Sequence, residues 1–376
     1  MSVIKIEHLT KSYGSSIAVD DLSLELQNGE LFALLGSSGC GKTTTLRCIA
    51  GLEDFDSGKI KLDGEDISQV PACERDFGMV FQNYALFPHL NIRDNVAYGL
   101  IAKHYRHSGL MGKAIALWRS ISGSLTVEDK KAVNEVLELV ELTDYALRLP
   151  SQLSGGQQQR AALARALVTK PKILLFDEPL GALDVKLRVK MREEIRNLQR
   201  KAGITALYVT HDQEEAFAVS DRLALMDKGQ IVQIGRSEDV YSKPANKFAA
   251  EFIGFGNILA AKVNEDKTIS LSKGLTLQNV NVPQNLNEGV IYAAIRPEKL
   301  KLNANRNGSG LNCFLAKITS RIFMGNFIKY TVVCQGLVFA VNIVADQNKS
   351  ACQLQVEQEA ILQIPSESVV LINEQQ

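Results

Sequence analysis

Long hydrophobic runs, a surplus of either charge and clustered cysteines are all missing from this sequence. No run reaches the ~18 consecutive apolar residues that mark a membrane-spanning helix, so no segment is expected to cross a bilayer. The 42 Lys plus Arg balance the 42 Asp plus Glu. Without a basic excess, no nucleic-acid partner is expected. The six cysteines (Cys40, Cys48, Cys73, Cys313, Cys334, Cys352) are scattered, with neither a Cys-x-x-Cys pair nor a Cys/His cluster. That excludes a disulfide framework or zinc knuckle as the organising device and leaves reduced structural thiols. The opening residues, Met-Ser-Val-Ile-Lys-Ile-Glu-His, lack the charged-then-apolar plan of a signal peptide, and a cytosolic protein is expected.

What is present points to more than one domain. The chain has 376 residues, and single cores rarely grow past ~250–300. A hydrophobic content of 45% with 22% charged residues is ordinary for a globular protein. Up to about residue 245, strand-like runs (31–35, 78–81, 173–177, 206–210, 222–226) alternate with helix-like ones (42–51, 157–169, 185–202, 213–220). The runs at 78–81, 173–177 and 206–210 are short and apolar on both faces. This alternation predicts an α/β fold on a buried parallel sheet. Beyond about Gly254 the texture changes to short strands with turn signals at 314–321, 327–334 and 337–344. In the last, Leu337, Phe339, Val341 and Ile343 share one face. These features predict a small all-β domain over 258–376, a barrel, with Lys-Pro-Ala-Asn and Gly-Phe-Gly-Asn marking the boundary at 240–258. Residues 101–131, with the single Trp118 and with His104 and His107, interleave basic and apolar side chains and read as an amphipathic helical insertion.

Three motifs carry chemistry. Gly36-Ser37-Ser38-Gly39-Cys40-Gly41-Lys42-Thr43, followed by Thr44, fits Gly-x-x-x-x-Gly-Lys-[Ser/Thr] between an apolar strand and a helix. Its glycines allow a backbone anion nest at a helix N-terminus, Lys42 adds a point charge, and the Thr43 hydroxyl suits Mg²⁺. The apolar run 173–176 then ends in Asp177 and Glu178, delivering two carboxylates to the sheet edge. Asp177 is the candidate for Mg²⁺, and Glu178 is the candidate base for an attacking water. Leu153-Ser154-Gly155-Gly156-Gln157 opens an Ala/Leu-rich helix with Ser154 as its cap, a second helix N-terminus suited to an anion. Since the chain already has one phosphate cradle, this second one is expected to act on the nucleotide of another copy.

With these motifs the chain resembles the nucleotide-binding subunits of ATP-binding cassette (ABC) transporters, whose signature motif Leu153–Gln157 matches. The resemblance covers at least residues 3–245, with the family's helical subdomain at about 85–165. It implies ATP and Mg²⁺ as cofactors. It also implies Tyr13 as the aromatic stacked on adenine, Gln82 as the Q-loop residue on metal and water, and His211 as the switch histidine at the γ-phosphate. Asp184 falls in the D-loop, where Gly181 stands in place of the commoner serine. The strings Ala294-Ile-Arg296-Pro297-Glu298 and Ile322-Phe-Met-Gly-Asn resemble the C-terminal OB-type (TOBE) domain of importer ATPases.

The implied partners are a second copy in a head-to-tail ATP sandwich, membrane permease subunits and, indirectly, a periplasmic-type solute-binding protein. The implied location is the cytoplasmic face of the inner membrane. The text at 191–221 looks most like ferric-iron importers, with polyamine importers next.

Overall fold

The computed structural model describes residues 2–107, 125–181, 184–283, 290–304, 310–344 and 352–374. The chain forms two compact units, Met1–Glu238 and Asp239–Gln376.

In the first unit, β1 (Ser2–Tyr13), β2 (Ser16–Gln27), β4 (Ser57–Leu62) and β5 (Glu65–Asp66) make an antiparallel sheet in the order 2-1-4-5. The strands β3 (Leu31–Gly36), β6 (Phe77–Val80), β7 (Ile173–Asp177), β8 (Thr205–Thr210), β9 (Arg222–Asp227) and β10 (Gln230–Arg236) make the main sheet. Its order is 10-9-3-8-7-6, parallel except for the β9–β10 hairpin. Strands β3, β7 and β8 are buried at every residue, because helices cover one face and the antiparallel sheet contributes to the core on the other. One expectation needs correcting. The run near 78–81 is not buried on both faces: β6 alternates half-buried and buried residues, since it is the last strand of the sheet.

The helices are α1 (Lys42–Ala50), α2 (Ile92–His107), α3 (Val127–Leu139), α4 (Gly155–Leu167), α5 (Val185–Ala202) and α6 (Gln213–Val219). A shared core joins α2, α3 and α4 through Val96, Val133, Leu137, Ala161 and Leu163. Of the 101–131 insertion, residues 101–107 complete α2 and 127–131 begin α3. Residues 108–124, with Trp118, lie outside the described residues. His104 pairs with Asp129 at 3.0 Å, which ties α2 to α3.

The second unit includes α8 (Lys247–Phe252), which follows α7 (Ser237–Ser242), and two five-stranded antiparallel sheets. One sheet contains β11 (Asn257–Val263), β12 (Ile269–Leu271), β13 (Thr276–Leu277), β14 (Ile291–Ile295) and β20 (Val369–Asn373). The other contains β15 (Lys301–Asn303), β16 (Cys313–Phe323), β17 (Phe327–Cys334), β18 (Leu337–Val344) and β19 (Glu359–Gln363). Both sheets feed one core, to which Leu337, Phe339, Val341 and Ile343 contribute from β18.

The cassette-like segment was expected to run to about 245, yet residues from 239 onward join the β-rich unit. Buried Arg296 explains this: its guanidinium donates to the carbonyls of Ile253 (3.2 Å) and Tyr241 (2.6 Å) and lies 3.5 Å from the Tyr241 ring.

Candidate nucleotide site

The order 3-8-7 places the C-terminal ends of three buried strands side by side. The loop 36–41 leaves β3 and enters α1 at Lys42, whose side chain is only 4% exposed. Its ammonium donates to the carbonyls of Gly36 (2.9 Å) and Ser37 (2.8 Å) and lies 3.7 Å from the Cys40 sulfur. Ser37, Ser38 and Gly39 are exposed at the loop's tip, and Cys40 is buried beneath it.

Two of the glycines are required by space. A Cβ on Gly36 would collide with the Met226 carbonyl, and Gly41, at φ +103°, sits against the Ala18 carbonyl where any side chain would clash. The second contact brings the β1–β2 hairpin beside the cradle. Tyr13 stands at that hairpin's turn, 49% exposed, with the Lys11 ammonium 4.9 Å from its ring.

Strand β7 ends at Asp177, in register with Val209 of β8. One residue further, the Glu178 amide donates to the Val209 carbonyl (3.1 Å) at a left-handed φ of 43°. This turn aims the Glu178 carboxylate at the end of β8, where it lies 3.1 Å from Nδ1 of His211. On the other side, the Thr43 hydroxyl donates to Asp177 at 3.3 Å. The structure therefore brings Lys42, Thr43, Asp177, Glu178 and His211 together from three strand ends.

Gln82 lies exposed, two residues past the end of β6. Its Nε2 is 3.1 Å from where a Cβ on Gly181 would stand. The glycine in the serine's usual place thus leaves room for the Gln82 amide.

Burial raises the Asp177 carboxyl above the usual range, opposed by the Thr43 hydroxyl, Arg47 and Lys42. Burial also raises the Cys40 thiol, with Lys42 opposing. A desolvated carboxyl beside a hydroxyl is a hard oxygen donor pair that suits Mg²⁺. Among the described residues, no three or more His, Cys, Asp or Glu side chains form a metal cluster. The remaining ligands of such an ion would be phosphate oxygens and water.

The signature stretch forms a separate cradle. The Ser154 side chain accepts from the Gln157 amide, and the Gln157 side chain accepts from the Ser154 amide (2.9 Å), a reciprocal cap. Gly155 is half-buried, and Gly156 is buried against α5. Asp184 caps α5, accepting from the Leu187 amide at 3.0 Å. Reading the sequence missed Lys11 and Ala18. Ala18 reaches the cradle at Gly41 and Lys11 lies over the Tyr13 ring, both through hairpin register, which leaves no local motif.

The family profile described as ABC transporter matches residues 19–181, and the TOBE domain profile matches 293–372. The spermidine/putrescine import ATP-binding protein PotA of Rubrobacter xylanophilus is 44% identical over 334 residues, covering 87% of this chain and 82% of that protein. This chain belongs to the ABC transporter family. Within it, the chain is an importer-type ATP-binding subunit with a C-terminal TOBE domain, an ATPase whose hydrolysis is coupled to transport. The Fe(3+) ions import ATP-binding protein FbpC of Fusobacterium nucleatum is equally similar, at 44% over 326 residues, covering 86% of this chain and 82% of that protein.

Among solved structures, the dimeric post-hydrolysis state of the ATP-binding cassette MJ0796 bound to ADP and Pi aligns with a TM-score of 0.51 and 30% identity. That alignment covers 62% of this ABC ATPase and 98% of the solved chain. No helix among the described residues is long and apolar enough to cross a membrane.

Proposed function

We propose that two copies of this ABC ATPase close over two ATP molecules and drive solute import through separate permease subunits. The observation that carries the reading is the Lys42–Thr43–Asp177–Glu178–His211 cluster at three adjacent strand ends. The 36–44 loop would receive the phosphates, with Lys42 turning its ammonium from loop carbonyls to phosphate oxygens. Tyr13 would stack on the base. Thr43, Asp177 and Gln82 would hold the metal ion, which when bound neutralises phosphate charge. Glu178 would take a proton from the attacking water, while His211, already 3.1 Å from that carboxylate, would orient water and γ-phosphate.

Ser154, Gly155, Gly156, Gln157 and Asp184 would face the nucleotide of the second copy, as expected of a two-fold, head-to-tail pair. The dimeric form of the solved MJ0796 cassette, bound to ADP and Pi, supports a pairing of two copies. The chain would dock peripherally on the cytoplasmic face of the membrane. A solute-binding protein would act on the far side.

Glu178→Gln tests the assignment. The variant should keep ATP affinity, lose ~10²–10³ in turnover and elute as an ATP-dependent dimer. Parental turnover together with a persistent monomer would refute it.

For the solute, the 191–221 text favours ferric iron, and the Fusobacterium relative carries that name. Polyamine is the second reading, favoured by the Rubrobacter relative and by a Thermobifida fusca relative of the same name, each 44% identical. Uptake of radiolabelled spermidine and of ferric iron in a strain deleted for this chain separates the two: the true cargo loses ATP-dependent uptake and the other does not.

A further inference from the structure

A cleft of about 420 Å³ opens at the end of the main sheet opposite the nucleotide cluster. The cluster sits where β7 and β8 finish, at Asp177 and Thr210. The cleft sits where they begin, beside Pro171 and Lys172 before β7 and beside Ile204 and Thr205 at β8. Its size is that of a small-molecule site, ~300–1,000 Å³. Its floor is apolar, built by Val136 and Leu139 of α3, Leu167 at the end of α4, Pro171 and Ile204. Leu167 and Pro171 are buried. Val136, Leu139 and Ile204 pack on the core shared by α2, α3 and α4 but are covered only in part.

The charged groups on the cleft are of one sign. Lys170 and Lys172 line it, and among the described residues no carboxylate does. The Lys172 ammonium is taken up by Asp63. Lys170 is exposed, and its ammonium has no partner among the described residues. The same holds for the side-chain amide of Asn28, in the turn between β2 and β3. The C-terminal ends of α4 and α5 also reach the cleft, and bare helix carbonyls there would repel an anion. They are engaged instead. The Lys170 amide, at a left-handed φ of 51°, donates to the Leu167 carbonyl at 2.8 Å. The Gly203 amide donates to the Arg200 carbonyl (3.1 Å), and the Ile204 amide to that of Gln199 (3.4 Å).

We propose that this cleft binds a small amphipathic monocarboxylate, a hydrocarbon body ending in one carboxylate. The five apolar floor residues offer a hydrated ion such as inorganic phosphate nothing to replace its water, so the body of the ligand is apolar. One unpaired ammonium selects a single negative charge, and the Asn28 amide is a further donor for a carboxylate oxygen. The ligand and ATP occupy opposite ends of the same two strands and bind without competing. The proposal does not depend on the two-copy reading above.

Isothermal titration calorimetry of the full chain with octanoate, octanol and octylamine tests the site. Octanoate should bind one per chain, with octanol and octylamine ~5- to 10-fold weaker, the effect of one charge-assisted hydrogen bond at a partly exposed position. From hexanoate to octanoate, affinity should rise roughly two- to fourfold per methylene as the floor is covered. Lys170→Met should weaken octanoate by the same ~5- to 10-fold and leave octanol unchanged. Lys170→Glu should reverse the preference towards octylamine. Because Lys170 is exposed, both variants should melt with the parent. Loading with Mg²⁺ and a non-hydrolysable ATP analogue should leave octanoate affinity as it was. No octanoate binding at millimolar concentration would overturn the proposal. So would octanoate and octanol binding alike in the parent and in Lys170→Glu. Displacement of octanoate by the nucleotide analogue would overturn it too, since the ligand would then lie in the phosphate cradle.

Discussion

Lys42 illustrates how far a single residue could be read in advance. The string Gly36–Thr43 is contiguous, so backbone freedom, helix start and charge are all visible in one short stretch. The structure places the ammonium among loop carbonyls, 4% exposed, where its replacement leaves acceptors but no cation. Lys42→Ala should weaken ATP binding ~10- to 100-fold, as loss of one charge-assisted contact implies. Fluorescent-ATP titration checks it, and unchanged affinity would remove Lys42 from the cradle.

The Glu178–His211 contact was not legible in the same way. It depends on the register Asp177↔Val209 and on the left-handed turn at Glu178, both tertiary facts. Cys48 gives a pH signature at the same scale. Burial lifts its thiol from 9.0 to about 11, so the native state holds that proton more tightly than the unfolded chain. The associated stability is complete below pH 9 and is lost as pH rises through 11. Cys48→Ala should flatten the decline of the urea midpoint across that window, and an equally steep decline would contradict the assignment.

Among the elements, the buried strands and their helices were legible because their period and caps lie in the local text. The runs 31–35, 173–177, 206–210 and 222–226 match β3, β7, β8 and β9 to within one residue. The antiparallel sheet of β1, β2, β4 and β5 was not anticipated. Long bulged strands such as β1, whose register shifts several times against β2, keep no clean alternation to detect.

Helix α1 shows what pairing across distance adds. Arg75, 4% exposed, donates to the carbonyls of Cys48 (2.9 Å), Ile49 (2.8 Å), Val70 (2.7 Å) and Ser68 (3.1 Å). It thereby caps the end of α1 opposite Lys42. Arg75→Met should lower stability by about 3 kcal/mol through the orphaned carbonyls. A urea midpoint unchanged within error would show that those carbonyls find other partners.

For the whole molecule, the change in texture near residue 254 announced a β-rich second unit, but its start lies earlier, after Glu238. The stretch after Glu238, part of which reads as linker at 240–258, is held in the second unit through Arg296, which donates to the carbonyls of Tyr241 and Ile253, a contact no local pattern reveals. The cargo is equally hidden, because in the proposed mechanism the residues of the nucleotide cluster would contact phosphate and water rather than the transported solute.

The central claim is that the Ser154–Gln157 stretch of one copy completes the nucleotide site of another. The direct measurement mixes two singly substituted chains, Ser38→Cys and Ser151→Cys, with Glu178→Gln in both and the accessible native cysteines replaced. A short bis-maleimide is then added with and without ATP. The account predicts a covalent heterodimer that forms with ATP and not without it. Chains that bind ATP yet stay uncrosslinked, or that crosslink equally without it, would contradict the account.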